Sequence, residues 1–291
     1  MIENDFAENV VWLMDDPDYI IIQELNRVIF EQGEDIFPAL AIEIAKVKSS
    51  KRRKAMYDHL MDVNSEYRLN QFSRCLNESF LAELAYLVSA SLDPSLTRQK
   101  YNDAYLPFMS EVLSEISDDK TIIENITIFN HIFFRRLKFT PSDMFMTQEN
   151  TALLPEIFKT RKGNPITISV LYFMLAQSCG LDIQPMCFPG GFIPVCMDKG
   201  DKLLYINMFD GGSFLAENQI ESFLGNHGMP ISFKDFEIKH PDTVILIYIE
   251  SLLFYYSSIN DIRKEKILEE LAKCFGDTRF LTMDEDEEEE F

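Results

Sequence analysis

Five cysteines, at 75, 179, 187, 196 and 274, are the strongest nucleophiles this sequence offers, and four histidines, at 59, 131, 227 and 240, are its candidate bases. A thiol attacks as the thiolate, which needs a histidine, a cation or a helix N-terminus beside it. No histidine adjoins Cys179, Cys187 or Cys196 in sequence, although His227 and His240 lie downstream, where the chain could fold back. There is no CxxC pair and no cluster of histidine with cysteine, so neither a metal site nor a cofactor is expected. A second candidate is the run Gly163-Asn164-Pro165 followed by Thr167. It reads first as a helix start, with Asn164 as N-cap and Pro165 in the first helical position. The sharper reading gives the amides near Ile166 and Thr167, with the Thr167 hydroxyl, an anion or a partner's carboxylate to hold. The glycine pairs in "PGGF" and "FDGGSF" are turns and lack the GK[ST] ending of a phosphate loop.

Charge narrows the ligand classes. Among 291 residues, 48 are acidic and 27 basic, a net charge of −21, of which the run at 284–290 carries seven. Such a field disfavours nucleic acid and anionic membranes and favours a protein partner or a small ligand. Lys46, Lys48, Lys51, Arg52, Arg53 and Lys54 form a basic island. It reads as a solvated loop and helix start, as a dock for the acidic tail, or, third, as a nucleic-acid contact. The start "MIENDFAENVVWLMDD" lacks a signal-peptide layout, and "TVILIYIESLLFYY" is interrupted by Glu250. With an odd number of scattered cysteines, these features point to a reduced, cytoplasmic protein without a membrane span.

The elements that must position these residues read as α+β, mostly helical, with one small antiparallel sheet. Asp16 and Pro17 open a helix carrying Ile21, Ile22, Leu25, Val28 and Ile29, which Gly33 ends. A second helix carries Phe37, Leu40, Ala41, Ile44 and Ala45, and two more are expected at 54–63 and 67–77. Residues 1–77 therefore form a helical region, a short HEAT-like stack or a plain bundle. Helices continue to about 137, followed by a polar loop, a helix at 164–179, and the β-prone runs "IQPMCF", "FIPVCM" and "LLYINMF". Residues 214–224, 243–257 and 264–275 read as helical, with Ser213 as a candidate N-cap. The divisions expected are 1–77, 78–225, a helical extension over 226–283 and a disordered acidic tail at 284–291.

Three blocks in order, "FLAELAYLVSASLDPSL", "NTALLPEIFKTRKGNPITISVLYFMLAQSCGLDIQPMCFPGGF" and "LLYINMFDGGSFLAENQIESFL", resemble the SirB-type transglutaminase-like proteins of bacteria, described as regulators of sirC expression. The resemblance covers about half the chain and implies a papain/transglutaminase-like domain at 78–225. Tetratricopeptide repeats commonly follow that domain in the family; here the expectation is that they are absent or reduced to two helices.

The wider superfamily runs on a Cys–His–Asp triad: a thiolate at a helix N-terminus, a histidine on a neighbouring strand, and an orienting carboxylate on the next. By the resemblance, those places fall on Pro165, Gly191 and Asn207. Proline has no nucleophile, glycine no base, and a neutral amide cannot stabilise an imidazolium. Asn164, Thr167, Phe188, Phe192, Tyr205 and Phe209 are the expected lining of the inherited cleft. The function expected is non-catalytic binding of another protein, with a regulatory role implied by the resemblance. The alternative is a cysteine-dependent hydrolase or transferase with a relocated nucleophile.

Overall fold

The computed structural model describes residues 4–76, 78, 80–142, 149–188, 191–197, 203–216, 219–220, 222 and 237–276. The acidic run at 284–290, with its expected disorder, and His227 lie outside the described residues. The chain forms two compact units, Met1–Cys75 with Tyr86–Asp103, and Leu76–Ala85 with Ala104–Phe291. The class is the α+β expected.

The first unit is built from α1 (Asn4–Leu13), α2 (Tyr19–Glu31), α3 (Ile36–Ala45), α4 (Ser50–Cys75), most of α5 (Leu81–Leu92) and the start of α6 (Arg98–Leu113). Each of the first three turns one apolar stripe inward: Ala7 and Val10 from α1, Leu25 and Ile29 from α2, Phe37 and Leu40 from α3. The start of α2 differs from expectation. Asp18 caps it by accepting from the Ile20 amide at 2.9 Å, while Asp16 accepts from the Asp18 amide at 2.8 Å. Two aspartates flank Pro17, and the one after the proline takes the helix. The two helices expected at 54–63 and 67–77 are one, α4. Its polar middle is not a break, because Asn64 is buried there and donates to the Ala90 carbonyl at 2.7 Å.

The second unit holds the sheet. Helices α7 (Ile122–Asn130), α8 (Glu149–Ala152), α9 (Leu154–Thr160), α10 (Pro165–Ser178), α11 (Thr243–Ser258) and α12 (Ile262–Lys273) accompany a π-helical segment, His131–Arg136. Strands β1 (Thr140–Pro141) and β2 (Lys162–Gly163) make a short parallel pair inside the stretch expected to be loop. The main sheet is antiparallel, in the order β6-β5-β4-β3-β7: β3 Gln184–Phe188, β4 Gly191–Met197, β5 Leu203–Asn207, β6 Ser213–Leu215 and β7 Glu237–Ile238. Ser213 is therefore not a helix cap. It opens a strand that returns along β5 with Tyr205 opposite Leu215 and Asn207 opposite Ser213. Helix α10 is apolar on every side and buried along its length from Ile166 to Ala176, the pattern of a helix enclosed by its own unit.

Candidate functional site

The N-terminus of α10 is built as the sequence suggests. Asn164 is extended, and its Oδ1 accepts from the Thr167 amide at 2.8 Å, while Pro165 takes the first helical position. The Thr167 hydroxyl, within the same cap, reaches Asn164 Oδ1 at 3.0 Å and the Ala152 carbonyl at 3.1 Å. Asn164 and Thr167 are both buried, and the Asn164 amide donates to the Thr151 carbonyl at 2.7 Å. Of the groups expected to hold an anion, the Thr167 amide and hydroxyl are thus engaged in closing the helix. Asn164 Nδ2 is buried without a partner among the described residues. Gly163 just before them fits because a Cβ there would stand 2.5 Å from Ile157 Cδ1. Upstream, Arg161 adopts φ +63° and lays its guanidinium 4.1 Å from the Phe108 ring centroid and 5.0 Å from that of Phe139. Burial lowers its pKa below the ordinary arginine value.

Gly191 begins β4 opposite Phe188, and Asn207 ends β5. Strand alternation puts both on one face of the sheet, the face of the cross-strand pair Val195 and Tyr205. Asn207 is used by the turn that follows. Its Oδ1 accepts from the Phe209 amide at 3.0 Å and its carbonyl from the Gly212 amide at 2.9 Å. The expected aromatic lining is divided by the same alternation. Phe188 and Tyr205 join Met186, Ile193 and Val195 in one buried cluster. Phe192 pairs opposite Cys187, on the other face, and its ring meets Phe173 of α10 at 5.4 Å. Phe209 is 53% exposed at the tip of the β5–β6 turn. The four aromatics therefore do not line one cleft.

The histidines and cysteines are equally dispersed. His59 shares a 2.9 Å hydrogen bond with Asn26, and burial lowers its pKa. His240 Nδ1 lies 3.4 Å from Asp242 Oδ2 at the start of α11. Burial pushes the thiols of Cys179 and Cys187 up to about 12, and raises that of Cys274. The five form no disulfide, and among the described residues no group of three potential ligands could hold a metal ion. A maleimide applied to the folded chain is expected to modify Cys75 and Cys274, both half-buried, and to spare Cys179, Cys187 and Cys196 until denaturant is added. Peptide mapping reads the sites, and fast native labelling of Cys187 would restore the case for a relocated nucleophile.

One arrangement went unread in the sequence. Asn130, at the junction of α7 with the π-helical segment, donates Nδ2 to the Gly212 carbonyl at 2.7 Å and accepts from the Tyr172 hydroxyl at 2.6 Å. It ties the turn that carries Phe209 to the middle of α10. The available signal was weak, since Asn130 is one of several polar residues, with Glu124, Asn125, Thr127 and His131, in the run "IIENITIFNHIFF".

The family described as the transglutaminase-like superfamily matches residues 99–247. A UPF0162 protein of Xylella fastidiosa (strain 9a5c) is 22% identical over 147 residues, covering 50% of this chain and 52% of that protein. A UPF0162 protein of Haemophilus influenzae is 25% identical over 130 residues, covering 45% and 44%. Mouse F-box only protein 21 is 25% identical over 126 residues, covering 40% of this chain and 20% of its own length. The chain thus spans about half the length of the UPF0162 relatives. No solved structure matches it.

Proposed function

The chain belongs to the transglutaminase-like superfamily, and from that premise we propose that it is a non-catalytic member which binds another protein. The observation that carries this reading is the start of α10, where the resemblance puts the superfamily's nucleophile. There Pro165 offers no nucleophile, and the one hydroxyl in the cap, that of Thr167, is buried and hydrogen-bonded. Gly191 and Asn207 at the assigned base and carboxylate places support it, as do the two buried thiols pushed up to about 12. Function follows the site, and a scaffold whose site lacks its reactive groups keeps its surfaces. The resemblance to SirB-type proteins supports a regulatory role, and the net charge of −21 favours a protein over a nucleic acid as the partner.

Phe209 is the residue to test, because its exposure lets it be removed without opening a core. The full chain and Phe209→Ala, both shown to be folded, are to be used as baits in the cells that express the protein. The expected result is a partner held by the full chain and lost by the variant. The same partners on both baits, or none on either, would set aside binding at this place.

A further inference from the structure

Trp12 is the one tryptophan of the chain, and it stands 74% exposed. Helix α1 sends Ala7, Val10 and Val11 into the core of its unit, and Met14 just past its end joins them. Its other side carries Asp5, Glu8 and Trp12, at i, i+3 and i+7, all exposed. Neither carboxylate has an ion pair among the described residues. Just past this helix, Asp15 accepts from Arg52 Nε at 2.7 Å, which sets the first turn of α4 beside the end of α1. Around Arg52 stand Lys48, Lys51 and Lys54, also exposed and without an ion pair among the described residues. Arg53 is turned back to donate to the Val47 carbonyl at 2.9 Å. A negative patch with an indole and a positive patch thus flank the Asp15–Arg52 pair.

We propose that this surface pairs with the same surface of a second copy of the chain about a two-fold axis. Asp5, Glu8 and Trp12 of one protomer then meet Lys48, Lys51 and Lys54 of its partner. A two-fold interface must be complementary to itself, and two opposite patches beside a common point meet that requirement twice. The ammonium groups gain carboxylate partners and an indole face, which attracts cations. Each copy carries −21 overall, so long-range repulsion opposes the approach. At an ionic strength of roughly 0.15 M that repulsion is screened beyond about 8 Å, while contacts at hydrogen-bonding distance survive.

Sedimentation velocity of the full chain tests this at roughly 100 μM, where a complex with Kd near 10 μM is mostly dimer. The expected result is a dimer whose tryptophan emission shifts to the blue on association. Trp12→Ala is expected to weaken it about tenfold or more. Two reversed variants decide the geometry: Asp5→Lys with Glu8→Lys, and Lys51→Glu with Lys54→Glu. Each alone is expected to be monomeric, because both patches then carry one sign. Mixed in equal amounts they are expected to re-form the dimer, each patch again facing its opposite. A wild-type monomer, a dimer that survives both reversals, or folded variants that fail to pair when mixed overturns the proposal.

Discussion

Replacing Glu34 with glutamine is expected to destabilise the first unit by about 3–5 kcal/mol, the cost of leaving a buried cation without its counter-charge. Glu34 sits in the turn between α2 and α3. Its carboxylate accepts from Arg68 Nη1 at 2.6 Å, Arg98 Nε at 2.7 Å and the Tyr86 hydroxyl at 3.2 Å. Arg68 is 1% exposed, walled by the rings of Phe37, Tyr67 and Tyr86, with centroids 5.4–5.8 Å away. Water cannot replace the lost carboxylate there. By contrast, Arg27 pairs with Glu24 and Glu31 on an open helix face, where solvent screens the charges and removing one acid costs little. Urea unfolding reads the difference, with hydrogen exchange over α3 and α4 to localise it. Adding Arg68→Met to the Glu34 variant is expected to recover part of the loss, since the orphaned charge is then gone.

The pH dependence of this contribution has a definite sign. Burial pushes the Glu34 carboxyl up, but hydrogen bonds from Arg98 and Arg68 outweigh it and hold the folded pKa below the ordinary value of 4.5. Between those two pKa values the unfolded chain binds more protons than the folded one, so stability rises with pH. The contribution is complete above the ordinary value and fades as pH falls through the folded one. Glu34→Gln is expected to flatten that part of the acid limb.

What the sequence showed and concealed follows the range of the interactions. The start of α10 was legible because its cap is local, with Asn164, Pro165 and Thr167 lying within three positions. Strands β3, β4 and β5 were legible from their β-branched and aromatic residues, whereas β1, β2, β6 and β7 were not. The division of Phe188 from Phe192 was legible too, had alternation been applied. A register that pairs Phe188 with Gly191 must pair Phe192 with Cys187 and send it to the other face. The unity of α4 was not legible, because Asn64 and Arg68 are polar residues on its buried side and erase the apolar period. Nor was the Glu34 cluster, whose partners lie 34 and 64 positions away along the chain. In "FDGGSF" local rules suggested a helix start, but two consecutive glycines at φ +58° and +79° reverse the chain into β6.

Asn130→Leu is expected to cost the second unit about 3 kcal/mol, from two buried groups left unpaired at about 1–3 kcal/mol each. Tyr172 is fully enclosed, its ring 4.7 Å from that of Phe129 and 5.2 Å from that of Phe133, so its hydroxyl has no route to water. The Gly212 carbonyl loses its donor at the same time. Tyr172→Phe in the Asn130→Leu background removes one of the two orphans and is expected to return roughly 1 kcal/mol. If the cost came instead from the shape of leucine, the second substitution would return nothing. Gly212→Ala probes the same junction from the other side. A Cβ there would fall 2.5 Å from Asn130 Cγ, on a backbone already at φ +79°. The alanine therefore carries the strain of a left-handed non-glycine residue, about 1–3 kcal/mol, besides displacing the asparagine. Both variants loosen the turn that presents Phe209, whereas Phe209→Ala leaves that turn intact. A partner lost with all three, but kept by the Glu34→Gln chain under conditions where it remains folded, would place recognition on this turn rather than on overall stability.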